Sequence, residues 1–183
     1  MGCYRRRAGT NKTRINILTM RKSKSLLELE AMALADKQMR MPEIPVEWLA
    51  QPKFNDNSAN SLTQATIAYI KLIGGQAERI STTGRAVDNS KTFVDVIGRT
   101  RQVGGVKWIP GTSTKGSADV SATIAGRSIK IEIKFGSDRQ SEVQREYQKS
   151  IEFAGGVYLI ARNFEQIKNE IDNLLELWNC KPT

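Results

Sequence analysis

The chain has 183 residues, with 28 Lys+Arg against 19 Asp+Glu, two Cys, no His and a formal net charge of +9. The missing histidine excludes Ser-His-Asp and Cys-His catalysis, His-ligated zinc and the His-based nucleases. Cys3 and Cys180 stand near opposite ends, so no CxxC site or disulfide framework arises; a reducing, cytoplasmic compartment is expected.

The length suits one domain with an appendage. Residues 1–24 hold eight basic residues and no acidic one. Residues 25–57 sum to −3, 58–136 to +6 and 137–183 to −2. A basic arm with a basic central segment suits a polyanion such as DNA or RNA, although such an arm also serves as a solubilising tail. No apolar h-region follows the first arginines, and no stretch reaches the ~18 to 20 apolar residues of a membrane span, so neither a signal peptide nor a membrane partner is expected. Met1-Gly2-Cys3 carries Arg at position 6, where myristoylation prefers Ser or Thr.

Ser25 to Arg40 has helical periodicity, and Pro42, Pro45 and Pro52 mark a linker after it. Ser58 to Ile73 reads as a helix stopped by Gly74-Gly75. Strands are predicted at Gln76–Ser81, Thr92–Ile97 and Gly105–Ile109. Gly111–Gly116 is a polar loop, and it lacks the Gly-Lys-Ser/Thr end of a P-loop, so no nucleotide cofactor is expected. Asp119–Lys134 is the clearest hairpin signal. A helix at Gln140–Ala154, a strand at Gly156–Ala161 and a helix at Phe164–Trp178 complete the chain. Val143, Tyr147, Ile151 and Ala154 fall at helical spacing and are expected in the core. Helices alternating with strands around a mixed sheet give an α/β or α+β class. The expected division is an arm at 1–24, a helix and Pro-containing linker at 25–57, and the main domain at 58–183.

A tight turn at Ala125-Gly126-Arg127 sorts the hairpin into two faces. One carries Val120, Ala122, Ile124, Ile129, Ile131 and Ile133, all apolar, so it meets the core. The other carries Asp119, Glu132 and Lys134 at the open end. Asp119 and Glu132 are opposite or diagonal there, ~4.5 to 5.5 Å or ~7 to 8 Å apart, a spacing at which two carboxylates can share one hard cation. With no histidine, carboxylates must hold any metal, which points to magnesium or manganese. Such a cation polarises a phosphate oxygen and helps ionise water, and an ammonium beside it stabilises charge developing on phosphorus. An ordinary solvated Glu-Lys face is the plainer reading of the same residues.

The wider pattern resembles the PD-(D/E)XK nuclease superfamily. The residues are Gly116-Ser117-Ala118-Asp119, Ile131-Glu132-Ile133-Lys134, Ser141-Glu142-Val143-Gln144 and Ala154-Gly155-Gly156-Val157-Tyr158. They look most like the stand-alone VRR-NUC branch of phages and prophages, similar to Holliday-junction resolvases. That branch shows Gly-x-Pro-Asp, Glu-x-Lys, a Gln about ten residues later and a Gly before the last core strand. Here Lys134 and Gln144 are ten residues apart, and Ala118 replaces the Pro. Ala65–Tyr69, Gly74 and Arg79-Ile80-Ser81 resemble the branch's first helix and strand, so the likeness spans residues 55–162.

The resemblance implies a restriction-endonuclease-like αβββαβ core and a Mg²⁺- or Mn²⁺-dependent DNA endonuclease, with possible homodimers. It implies Asp119, Glu132 and the Ile133 carbonyl as metal ligands, Lys134 at the attacking water and Gln144 at the site rim. Where the branch often carries a first-helix Glu, this chain has Ser61, with Asn60 before it and Gln64 after it. None is a carboxylate, a departure that bears on a second metal and on full activity.

Ser141-x-x-Gln144 is also a capping box, which gives Gln144 a purely structural alternative. Gln148 lies one turn further on the same face. Arg79, Lys107, Lys115 and Arg127 are candidate phosphate contacts, which give affinity without sequence readout. Trp108 is favoured as a core residue over a base-stacking one. No helix-turn-helix pattern appears, so a transcription factor is not expected. A non-catalytic nucleic-acid-binding protein on the same scaffold is the alternative to the nuclease.

Overall fold

The computed structural model describes residues 22–81, 84–109, 111 and 114–178. The first 21 residues, most of the expected basic arm, lie outside them, as does part of the 111–116 loop. The described residues form a mixed α+β structure around a four-stranded sheet.

Helix α1 (Lys24–Arg40) begins at Ser23, whose hydroxyl accepts the Leu26 N–H, a standard N-cap. A single 3₁₀ turn at Val46–Trp48 comes next, in the Pro-containing segment. Helix α2 (Ala59–Leu72) is capped by Ser58 and stops at Gly74, which takes a left-handed φ of 83°. Strand β1 (Gln76–Arg79) succeeds it. Four short strands then form an excursion: β2 (Arg85–Asp88), β3 (Lys91–Val94), β4 (Thr100–Val103) and β5 (Val106–Ile109). The chain returns in β6 (Val120–Ile124) and β7 (Arg127–Ile133), then runs through α3 (Glu142–Phe153), β8 (Val157–Ala161) and α4 (Phe164–Leu177).

The sheet order is β1-β6-β7-β8, antiparallel except for the parallel pair β7-β8. Parallel pairing needs a crossover, and α3 supplies it. The succession α2-β1-β6-β7-α3-β8 is the expected αβββαβ order with β2–β5 inserted after the first strand. The sequence pattern predicts two strands in that insertion. The structure has four, because Arg85–Asp88 and Thr100–Val103 pair with the two that are expected.

Ile124 and Arg127 are the last ladder pair, so the turn holds two residues, Ala125 and Gly126. Both have positive φ, 51° and 75°, as a type I′ turn requires. The resulting register puts Val120 opposite Ile131 and Ala122 opposite Ile129. All six residues of the expected apolar face are buried. Against this face pack Leu26 and Leu29 of α1, Leu62 and Ile70 of α2, and Phe164 and Ile171 of α4, so α1 shares the core of the main domain.

The other face is covered by α3. The expected core residues Val143, Tyr147, Ile151 and Ala154 are a correction: none is buried, and Val143 and Ala154 are exposed. The reason is the surface beneath them. This face of the sheet carries Ser121, Lys130 and Glu132, so α3 lies on polar side chains and meets apolar ones only locally, as in the edge-to-face contact of Tyr147 with Tyr158. Trp108 is a second correction. It stands in the short ladder β2-β5, away from the main sheet, and is 60% exposed.

Ala125 occupies a backbone region that costs an L-residue about 1–2 kcal/mol and that Asn tolerates better. Ala125→Asn is expected to raise unfolding stability by about 0.5–1 kcal/mol, read from the urea midpoint. A lowered midpoint would show that the turn carries no strain to relieve.

Candidate functional site

The ladder register extends by one step to place Asp119 opposite Glu132, at the open end of the hairpin. Beyond the last ladder pair, Asp119 Oδ2 accepts the Ile133 N–H at 2.9 Å. The Asp119 carbonyl accepts the Ile80 N–H at 2.8 Å, which ties the end of β1 to the same point. Asp119 thus fastens three chain segments while its carboxylate stays half-buried.

Glu132 and Lys134 are only 2% and 4% exposed. The Lys134 ammonium lies 3.0 Å from Glu132 Oε1, 3.0 Å from Gln144 Oε1 and 3.4 Å from Asp138 Oδ2. Its three donors therefore meet three acceptors. Glu132 Oε1 also accepts the Gln144 side-chain amide, at 2.5 Å. The Tyr158 hydroxyl approaches Glu132 Oε2 at 3.5 Å, a long contact. Burial pushes the Glu132 carboxyl above its usual range, the Lys134 hydrogen bond pulls it back, and the charges of Asp119 and Asp138 push it up again. Burial likewise raises the Tyr158 phenol, helped by the Glu132 charge.

Gln144 fulfils both of its readings at once. Ser141 and Gln144 form a complete capping box, in which Gln144 Oε1 accepts the Ser141 N–H at 2.9 Å. The same carboxamide holds Lys134 through Oε1 and Glu132 through Nε2. The cap fixes where α3 starts, and that start supplies the cluster with its polar clamp.

Gly116 sets the loop into Asp119. Its φ is 75°, and a Cβ there would come within 2.6 Å of the Val143 carbonyl oxygen. Only glycine lets the Lys115-Gly116 turn sit against the first turn of α3. Lys115 itself is exposed on that turn.

The remaining sequence candidates stand apart from the cluster. Arg79 pairs with Val120, which puts it on the face packed by α1, α2 and α4, and its Nη1 donates to Asn60 Oδ1 at 2.6 Å. Ser61 belongs to the N-terminal network of α2, bonded to Ser58 and Asn57. Arg127 falls on the apolar side of β7 by alternation, and its guanidinium lies 4.8 Å from the Trp178 ring centroid. Lys107 is exposed in β5. Gln148 accepts from Gln140 at 2.8 Å and donates to Glu152 at 2.7 Å along α3. Two contacts of the cluster are not anticipated by the sequence pattern, Tyr158 and Asp138. Tyr158 lies opposite Lys130 in the parallel ladder, a pairing without a local sequence signal. Asp138 has one, as an acid four residues after Lys134.

The donor chemistry fits a hard cation. Asp119 and Glu132 supply carboxylates, and the buried Glu132 is held against the Asp119 charge, a repulsion that a divalent cation would relieve. Ser117 Oγ, two residues before Asp119, is buried without a hydrogen-bond partner among the described residues. No cluster of three or more His, Cys, Asp or Glu occurs among the described residues, so backbone oxygen and water would complete the shell. Among the described residues no helix is long and apolar enough to cross a membrane. In comparisons with known proteins, no protein-family model matches the chain, and no curated protein matches it.

Gln144→Ala should lower unfolding stability by about 1–3 kcal/mol, because it removes a cap partner and leaves buried Lys134 and Glu132 each one partner short. An unchanged urea midpoint would show that the carboxamide is not part of the buried network.

Proposed function

We propose that the protein is a Mg²⁺- or Mn²⁺-dependent DNA endonuclease, similar to the VRR-NUC branch of the PD-(D/E)XK nucleases. The observation that carries this reading is the buried Glu132–Lys134–Gln144 cluster opposite Asp119 on one hairpin face. Asp119, Glu132 and the Ile133 carbonyl would hold the cation. Bound there, it would polarise a phosphate oxygen and lower the pKa of a water. The Lys134 ammonium would offset negative charge developing on phosphorus, and it could turn to that water by giving up its longest contact, to Asp138. Gln144 fixes the Lys134 and Glu132 heads from the α3 side, and Tyr158 steadies the far carboxylate oxygen. The solvent-excluding surroundings strengthen each of these interactions.

The substrate is DNA, as plain duplex, flap or four-way junction. Symmetric cuts of a junction need two active sites, which suits a homodimer. The two distant cysteines agree with a reducing cytoplasm. A non-catalytic DNA-binding protein on this scaffold is the second reading, and Ser61 in place of a first-helix carboxylate favours it.

Glu132→Gln keeps the side-chain shape and most hydrogen bonds while removing the metal-ligating charge. Cleavage of supercoiled plasmid and of a four-way junction should fall about 100-fold or more, with DNA affinity in chelator held or raised. Wild-type cleavage should disappear on metal removal. Metal-independent cleavage, or unchanged turnover in Glu132→Gln, would refute the catalytic assignment.

Mn²⁺ should also raise the thermal midpoint of the wild type, because binding only to the folded state adds RT ln(1 + [L]/Kd). The Glu132→Gln protein should show a smaller rise. Equal shifts in both proteins would place the ion elsewhere.

A further inference from the structure

Residues 84–109 include no buried residue. Strands β2 and β5 pair in one ladder and β3 and β4 in the next, with Asp88 opposite Val106 and Lys91 opposite Val103. Three steps separate these pairs on each strand, and the Asn89 N–H donates to the Gly105 carbonyl between them, so the register runs through. The two ladders are therefore one β-ribbon, closed at its tip by Asp95, whose N–H donates to the Arg99 carbonyl. Eleven residues from Arg85 to Asp95 at ~3.3 Å each give a reach of about 35 Å.

Side chains opposite one another share a face, and the faces alternate. By that alternation Arg85, Lys91, Arg99, Arg101 and Lys107, which are all the cations of the ribbon, fall on one side. Phe93, Val103 and Ile109 lie among them. Asp95 is the acid on that side, and it pairs with Arg101 at 2.7 Å. A surface ion pair of this kind contributes little in water, so a phosphate competes with it for Arg101. The opposite side carries Trp108, Val106 and Val94, with Asp88 as its one charge among the described residues.

We infer that this ribbon is a duplex-DNA arm, which inserts into or straddles a groove with its cationic side on phosphates. The inference rests on the reading of DNA as the substrate. The charge is complementary to a polyanion and opposes contact with a second copy through the same side. A two-stranded ribbon matches the ~12 Å major groove of B-DNA, whereas the A-form RNA major groove is deep and too narrow for it. The root of the ribbon connects binding to the site. It leaves the sheet just after Ile80, whose N–H is bonded to the Asp119 carbonyl, so duplex held by the ribbon is led to the Asp119 end of the hairpin.

The test uses the full chain in chelator, with duplex DNA affinity measured across a salt series. Replacing Arg85, Lys91 and Lys107 by Gln should flatten the log-log salt slope by up to about 2.7, at ~0.9 per phosphate contact. Val94→Thr with Val106→Thr, on the opposite side, should leave the slope unchanged. All five positions are exposed or at the surface, and circular dichroism checks that both variants fold. An unchanged slope in the triple Gln variant overturns the inference. So does loss of a dimer by the Thr variant, in sedimentation, without any effect of the Gln variant on DNA affinity, because the ribbon is then a protein interface. Equal loss on duplex RNA overturns the choice of DNA. A flattened slope in a protein that never cleaves with metal refutes the nuclease and spares the ribbon. Metal-dependent cleavage with an unchanged slope does the reverse.

Discussion

The two-residue turn at Ala125 and Gly126 decides which side of the sheet every residue of the central hairpin occupies. Side chains alternate with a period of two, so a slip of one residue would exchange the faces completely. Glu132 and Lys134 would then point into the layer formed by α1, α2 and α4, and Ile131 and Ile133 would lie beneath α3. The apolar face resists that exchange. Ile129 and Ile131 are fully buried, and each is worth about 1.5–3 kcal/mol in transfer from water. The same register carries Asp119 to Glu132 and brings the Ile133 N–H to the Asp119 carboxylate. Packing on one face thus sets the geometry of the charged groups on the other.

This coupling explains how much of the site is legible in the sequence. The faces of the hairpin can be read because an all-apolar set alternates with a polar one, a pattern that needs no knowledge of the neighbours. The spacing of Lys134 and Gln144 can be read for the same local reason. Arg127 shows how the same rule separates residues that charge alone would group. The alternation that places Glu132 on the polar side places Arg127 on the other, a separation that its charge alone does not reveal. Tyr158 depends on the parallel register of β7 and β8, which no local pattern encodes. Helix α3 illustrates a different limit. Its apolar stripe identifies the side turned to the sheet, but how deeply that side is buried depends on what the sheet presents, and here it presents Lys130 and Glu132. The ribbon strands are only half legible because their faces are mixed and glycines interrupt them, so neither side has the continuous apolar set that marks a core strand.

Stability does not account for the buried Glu132–Lys134 pair. Desolvating two charges costs several kcal/mol per ion, and a hydrophobic pair of similar volume is often equal or better. Here the cost is offset by a full set of hydrogen bonds, with the ammonium satisfied three times and Glu132 Oε1 twice. A carboxyl raised by burial and by neighbouring acids is a mark of functional sites, where charge is kept because chemistry needs it. The dual use of Gln144 has a consequence in the same direction. The capping box makes the start of α3 and the orientation of Lys134 one structural event, so fraying of that first turn would loosen the cluster without disturbing the core.

The local charge balance also bears on how a substrate would be held. Glu132 and Asp138 meet a single ammonium and the Asp119 carboxylate acts on Glu132, so the cluster itself is net negative and repels phosphate. On the proposed reading, a bound cation corrects the balance only at the reacting phosphate, within a few ångströms. Affinity for the rest of the duplex must come from cations placed elsewhere. Arg127 stacks on Trp178 and Arg79 bonds Asn60, and both, though exposed, lie on the side packed by α1, α2 and α4, away from the cluster. The exposed cations of the ribbon are under neither constraint, apart from the weak Arg101–Asp95 pair. On that reading, chemistry and grip fall to different parts of the chain, joined where Ile80 meets Asp119. Such a division would let the buried cluster stay rigid and acidic for a cation while a basic arm outside it set the salt dependence of binding.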